Sequence, residues 1–474
     1  MIRNSAQDSA SGQSDQSQRR PRIIMALRLP LFAIFACGAS AWLVYLAPAD
    51  VARYQCYALT FWFGSHATTW LPTAQCAFLG ITSPQPAFHL FPLEYPPLAV
   101  LLFSVPLLIP LPYYALAFAL LMLLAVGLIY RLLIQFHSQS AANRFVLLLV
   151  LGASVLVQVR FDVLPAACML ICLLAAERRH WRVAYSTLAV GVLLKLYPLV
   201  ALPALFLAEQ DACGQIRSFS PDASEGGWRW RLMLRQVFRW QWRHLILFGG
   251  ILAGVTGGFA LLNPQAAVVG PVSYFIRRPI QIESLQSSLL WLAQGVGIPS
   301  QIVFSYGSLN ILSPLASLAS WAGMGLCILG CLFVFRLQWK QRLSLGQAMI
   351  ALLCLLIGTG KIFSPQYLIW LIPFVAYVGA ARIWLYGWGA ISLLTTAIYI
   401  AYYSQLKDPA TAAQTIQTLP GFFEVVSARN GAFLILTLAY LFNWFHARQG
   451  AGAPSQPAPA VSACSGAVAK SRTQ

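Results

Sequence analysis

The residues of this sequence that could do chemistry are a few charges set between long apolar runs: Asp50, Glu94, Arg160, Asp162, Arg277, Arg278, Glu283 and Lys361. A charge held close to hydrocarbon is costly, so each of these needs a task or a partner. Carboxylates and cations gathered on one side of a membrane have two uses. A carboxylate can serve as a general base, and the cations can hold an anionic headgroup through charge-assisted hydrogen bonds. Asp50, in Pro48-Ala49-Asp50-Val51-Ala52-Arg53-Tyr54, reads either as the cap of an interfacial helix over 51–63 or as a carboxylate poised to take a proton from a hydroxyl. Lys195 lies inside an apolar stretch, where it either snorkels or reaches a phosphate.

The elements that position these charges follow from composition. Of 474 residues, 59% are hydrophobic and only 9% charged, against about 25% charged in a soluble domain. Mean hydropathy is +0.68. Lipid must be the solvent for such a chain, and the uncharged runs Ile311 to Phe335 and Ala115 to Tyr130 read as membrane spans. The fold class is therefore all-α, a polytopic transmembrane helical bundle of about 10–12 crossings. The net charge of +18 sits in short loops between spans. That is a topology signal, and without a basic stripe interleaved with aromatics it argues against nucleic acid as a partner.

Positive charge orients the chain. Residues 1–22 read as a disordered cytoplasmic tail, and 23–47 as an uncleaved first span preceded by Arg19, Arg20, Arg22 and Arg28. The segment 48–97 is then a long first outer loop. Spans are expected near 112–134, 145–158, 163–176, 245–262, 312–335, 345–358 and 431–446, with one or two between 366 and 403. Residues 183–207 have cytoplasmic flanks on both sides, which requires a hairpin or a re-entrant pair turning at Lys195-Leu196-Tyr197-Pro198. The membrane domain runs over 23–448, and 449–474 form a second disordered tail. The glycine-rich run from Gly249 to Gly258 has no strand or Lys-Ser/Thr beside it and reads as helix packing.

Most cysteines fall inside spans, but Cys56 and Cys76 share the first outer loop, as a disulfide or as two free thiols. A zinc site from them with His66 and His89 lacks the close paired spacing of structural sites. No carboxylate cluster suggests a metal, so no cofactor is expected.

Several patterns occur in order along most of the chain. They are Asp50-Val51-x-x-Tyr54, Glu94-Tyr95-Pro96-Pro97-Leu98, Leu194-Lys195-Leu196-Tyr197-Pro198, Arg277-Arg278-Pro279-Ile280-Gln281-Ile282-Glu283-Ser284, and Phe363-Ser364-Pro365-Gln366-Tyr367-Leu368-Ile369-Trp370. The combination resembles the GT-C superfamily of integral-membrane glycosyltransferases, and most closely glycosyltransferase family 87. The resemblance implies a polyprenyl-phosphate sugar as donor, commonly mannose, and an inverting displacement at the outer face of the inner (plasma) membrane. It also implies that Asp50 is the general base. Lys361, Arg278, Arg277 and Lys195 are then candidates for the donor phosphate. Glu94, Tyr95, Glu283, Gln366, Tyr367 and Tyr54 are candidates for sugar or acceptor contacts, the acceptor being a glycan or glycolipid. The insertion over 64–90 departs from the compact family loop. The rival reading is a transporter or flippase, but no pattern recurs in the later half as inverted repeats would require.

Overall fold

The computed structural model describes residues 49–447 except 155, 217–239, 380–381, 407 and 409. The two expected tails, the first span and the arginines between 217 and 239 lie outside the described residues. Helices dominate, because in lipid each backbone N–H and C=O must find its partner within the segment. Among the described residues, five helices are long and apolar enough to cross a membrane: Leu111–Phe136, Arg243–Leu262, Ala316–Trp339, Ile383–Gln405 and Phe422–Phe442. Shorter apolar helices accompany them: Ala99–Leu108, Gln139–Ala153, Val163–Glu177, Trp181–Leu194, Leu345–Thr359 and Pro365–Val378. The stretch 366–403 holds two helices.

Length and burial divide the work. The long Ala316–Trp339 helix exposes Leu318, Trp321, Leu326, Leu329 and Leu332, an apolar face that only lipid can solvate. The short Leu368–Val378 helix is buried at every residue from Leu368 to Tyr377, Pro373 included. It packs against Gln139–Ala153, Val163–Glu177 and Leu345–Thr359 and forms the centre of the bundle. Its N-terminal turn, with the 3-10 turn before it, carries Tyr367 and Trp370 to one end of the bundle.

The chain breaks at Lys195, as expected from Pro198. The helix Trp181–Leu194 ends there, a 3-10 turn follows over Tyr197–Ala201, and Leu202–Ala212 resumes. The first arm packs on Val163–Glu177 and Arg243–Leu262, the second on Ala316–Trp339 and Leu345–Thr359. The glycine run lies in helix Arg243–Leu262, but no described residue would meet a Cβ at Gly249, Gly250, Gly254, Gly257 or Gly258. The helix reading holds; the packing reading finds no described neighbour.

The outer loop after Arg243–Leu262 adds a small antiparallel sheet that an all-α reading lacks. Its strands are β1 (Ile280–Gln281), β2 (Gln301–Ser305) and β3 (Ser308–Leu312), in the order β1-β3-β2. Tyr306 and Gly307 both take positive φ, 53° and 68°, the geometry a two-residue hairpin needs to match strand twist. Ile280, Ile282, Ile302, Leu309 and Ile311 form a separate core with Phe422 and Val426. That core fixes Glu283 at the end of the bundle.

The first outer loop folds back on its own helix, Ala49–Phe63. A disulfide joins Cys56 to Cys76, with Cα atoms 5.7 Å apart. Both thiols are thereby used, which removes the zinc alternative. Gln75 Nε2 donates to Ala52 O at 3.1 Å and to Gln55 Oε1 at 3.0 Å, laying the insertion along the first turns of the helix. Gly64 makes the reversal, at φ 76° and with Gln85 O only 2.6 Å from where a Cβ would stand. Gly64→Ala is therefore expected to cost about 2 kcal/mol or more, read as a lower thermal midpoint in detergent; an unchanged midpoint would contradict the tight reversal.

Candidate active site

The site begins with an aromatic floor. Tyr54 is buried, stacked on Phe103 at 4.3 Å, with Phe161 edge-on at 5.8 Å and Tyr95 at 6.1 Å. Tyr95 in turn meets Phe161 at 4.9 Å. Residues four apart share a helix face, so anchoring Tyr54 turns Asp50 toward the same side. Asp50 lies in the first turn of the helix rather than at a cap before it. Its Oδ2 is 2.6 Å from Arg160 Nη2. One turn on, Arg53 pairs with Glu94 and lies 4.7 Å from the centre of the Phe78 ring. The insertion thus covers the pair next to the predicted base.

Deeper in, Lys195 Nζ donates to Asp162 Oδ1 at 2.6 Å, and Trp370 Nε1 donates to the same oxygen at 2.5 Å. Lys195 takes extended backbone as it leaves its helix, which lets its side chain turn to Asp162. Around the ammonium stand the rings of Phe161 and Trp370, each 5.3 Å away, Tyr95 at 5.7 Å and Tyr367 at 5.8 Å. Trp370 is sandwiched between Tyr197 and Tyr367, each stacked at 3.8 Å. Lys195, which the sequence leaves either to snorkel or to reach a phosphate, is ion-paired to Asp162.

Glu283 is buried on the sheet side. Gln281 Nε2 donates to its Oε2 at 2.8 Å. Arg429 and Asn430 donate to its backbone carbonyl at 2.6 and 3.2 Å. Burial raises the Glu283 carboxyl from its ordinary 4.5 to about 7, with Arg429 opposing the rise. Arg429 is fully buried over Phe363, 3.8 Å from its ring centre. It was open to discovery as the arginine inside the last apolar run, since a charge at such depth needs a function or a partner.

Two of the candidate phosphate-binding cations are held by neutral oxygens. Arg278 Nη2 donates to Ser308 Oγ at 3.0 Å, and Lys361 Nζ to Ile276 O at 3.1 Å. Among the described residues, no carboxylate is ion-paired to either. Partial burial, and then the Arg278 guanidinium, hold the Lys361 ammonium below its usual value. Two like charges within reach of one another, answered only by neutral oxygens, are suited to an incoming anion.

Arg160 connects the set. It lies within electrostatic reach of Asp50, Tyr54, Tyr95 and Asp162, and also of Lys195, Glu283 and Tyr367. The structure therefore gathers Asp50, Tyr54, Glu94, Tyr95, Lys195, Arg278, Glu283, Lys361 and Tyr367 at one end of the bundle. Arg277 is exposed beside Arg278, and Gln366 is buried, accepting a hydrogen bond from Ser364. Arg160 and Asp162 are visible in the sequence as outer-side charges, but their pairing is not.

Two outcomes follow from this wiring. Because the folded Glu283 carboxyl holds its proton more tightly than the unfolded one, its contribution to stability is complete below pH 4.5 and is lost as pH rises through about 7. Melting curves of Glu283→Gln should lack that decline, and curves parallel to wild type would count against it. Lys195→Met leaves the Asp162 charge buried alone and should cost about 3 kcal/mol, with part of the loss recovered in Lys195→Met/Asp162→Leu; additive losses in the thermal melts would contradict the pairing.

No curated protein matches the chain. Residues 93–217 match the model described as Glycosyltransferase family 87, a segment that holds Glu94, Tyr95, Arg160, Asp162 and Lys195. Over that segment, about a quarter of the chain, the sequence is similar to glycosyltransferase family 87, and the described helices around it include several long and apolar enough to cross a membrane.

Proposed function

We propose that this protein is a glycosyltransferase that moves a hexose, mannose foremost, from a polyprenyl-phosphate sugar to a glycan or glycolipid acceptor at the extracytoplasmic face of the inner membrane. The observation that carries this reading is the contrast between Asp50 and two part-buried cations, Arg278 and Lys361, whose hydrogen bonds go to neutral oxygens. Arg278 and Lys361 offer charge-assisted donors to a lipid phosphate, while Asp50 lies on the same end of the bundle as a proton acceptor. The disulfide beside Asp50 supports the side, because such bonds persist in oxidising compartments. Arg53–Glu94 and the aromatic floor line the approach from the first outer loop.

In this reading the acceptor hydroxyl oxygen attacks the anomeric carbon opposite the phosphate. The bond from that carbon to the phosphate oxygen breaks, and its electron pair leaves with the lipid phosphate. The hydroxyl proton passes to Asp50. One displacement inverts the anomeric centre. The departing phosphate needs positive charge rather than a second acid, and Arg278 and Lys361 supply it. Tyr367, stacked on Trp370, and Glu283 offer hydrogen-bonding groups to sugar hydroxyls.

The test is transfer of label from polyprenyl-phosphate mannose to a panel of lipid and glycan acceptors in proteoliposomes. Asp50→Asn, correctly inserted, should lose about 100-fold or more of kcat, and Arg278→Gln with Lys361→Gln should raise the donor KM about tenfold or more. Full activity in Asp50→Asn would move the base elsewhere, and absence of transfer by the wild type with this donor would remove the donor class.

A further inference from the structure

Arg160 stands where the paired charges of the site meet the unpaired ones. Its Nη2 is 2.6 Å from Asp50 Oδ2, yet its Nε is shielded from solvent and donates to no described residue. Arg278 likewise leaves a shielded Nε without an acceptor. Arg53 and Arg429 also carry shielded N–H groups without a described acceptor, but Arg53 is ion-paired to Glu94 and Arg429 donates to the Glu283 carbonyl. Buried donors are almost always satisfied, so Arg160 and Arg278 have N–H groups suited to an oxygen-rich anion. Both lie within electrostatic reach of the same three groups, Lys195, Glu283 and Tyr367. An anion seated on Arg278 therefore comes within the field of Arg160.

The Asp50–Arg160 pair is suited to exchange. Its side chains keep 25% and 20% of their surface open, unlike the Asp162–Lys195 pair, whose carboxylate keeps 1%. There is also a chemical conflict to resolve. The guanidinium occupies one of the two Asp50 oxygens that an acceptor hydroxyl would have to reach, so Arg160 and the hydroxyl compete for the same carboxylate.

We propose that Arg160 is an exchangeable cation, held by Asp50 in the empty enzyme and drawn off by the phosphate of the lipid-linked donor. The inference rests on the donor reading above and extends it. Seating the donor uncaps the base, and an empty donor site leaves the base capped, so the acceptor is deprotonated only when there is a sugar to receive it. Asp50 and the phosphate are then competitors for one guanidinium.

Competition has a signature that a purely structural salt bridge lacks. Binding of farnesyl phosphate, a short lipid-phosphate probe, is measured by calorimetry on the full chain in nanodiscs, for wild type, Asp50→Asn, Arg160→Gln and the double variant. Asp50→Asn should tighten binding by about threefold to thirtyfold, and the gain should vanish in the Arg160→Gln background. An equal gain in both backgrounds would reduce the effect to general charge repulsion and overturn the proposal. Unchanged or weaker binding in Asp50→Asn would overturn it too. If Arg160→Gln does not assemble, Arg160→Lys keeps the charge without the fork, and the gain must shrink there or the proposal fails. Failure of every form, wild type included, to bind the probe would instead overturn the donor reading, and this proposal with it.

Discussion

The end of the bundle that carries the candidate site is organised by the need to give a buried carboxylate a partner. Asp162 is 1% exposed, and Lys195 and Trp370 both spend a donor on one of its oxygens. That single knot joins the start of Val163–Glu177, the break after Trp181–Leu194 and the first turn of Leu368–Val378. A buried ion pair contributes little net stability against well-packed apolar groups, but losing one partner is expensive. Its value here is geometric. It fixes the rings of Tyr95, Phe161, Tyr367 and Trp370 around one point, and those rings form the floor on which the remaining charges stand.

With Lys195 committed, the other charges sort themselves by depth and by partner. Glu94 has Arg53, Asp50 has Arg160, and Glu283 shares its surroundings with Arg429. Arg278 and Lys361 hydrogen-bond to a hydroxyl and a carbonyl, and among the described residues neither is ion-paired to a carboxylate. A site already neutral throughout would have little reason to attract a lipid phosphate. In the proposed reaction those two cations would hold the phosphate, and the aromatic floor beneath would offer apolar surface to the sugar. The small sheet belongs to the same arrangement, because β1 and β3 hold the loop that carries Arg278 at one end and Glu283 at the other.

Much of this was legible in the sequence, for physical reasons. Apolar runs without charge can only be spans, Pro198 after Lys195 must break a helix, and an aspartate after Pro48 starts one. What was not legible depended on partners distant in the chain. Lys195 reads as a free cation until Asp162, 33 residues earlier, is brought beside it. Arg429 and Glu283 meet across 146 residues. The sheet was missed because β1 has only two residues and pairs with β3 some 30 positions on, Ile280 with Ile311. No periodicity can announce so short a strand. The glycine run shows the reverse case, a pattern that promised close packing in a helix whose glycine face meets no described residue.

The most direct test of this account is an electron cryomicroscopy structure of the protein in nanodiscs with a polyprenyl-phosphate sugar bound. The account predicts phosphate density within hydrogen-bonding distance of both Arg278 and Lys361, the sugar over Tyr367 and Trp370, and Asp50 facing the anomeric carbon from the side opposite the phosphate. A headgroup seated away from these cations, for example beside the buried His244–Glu209 pair, would contradict it.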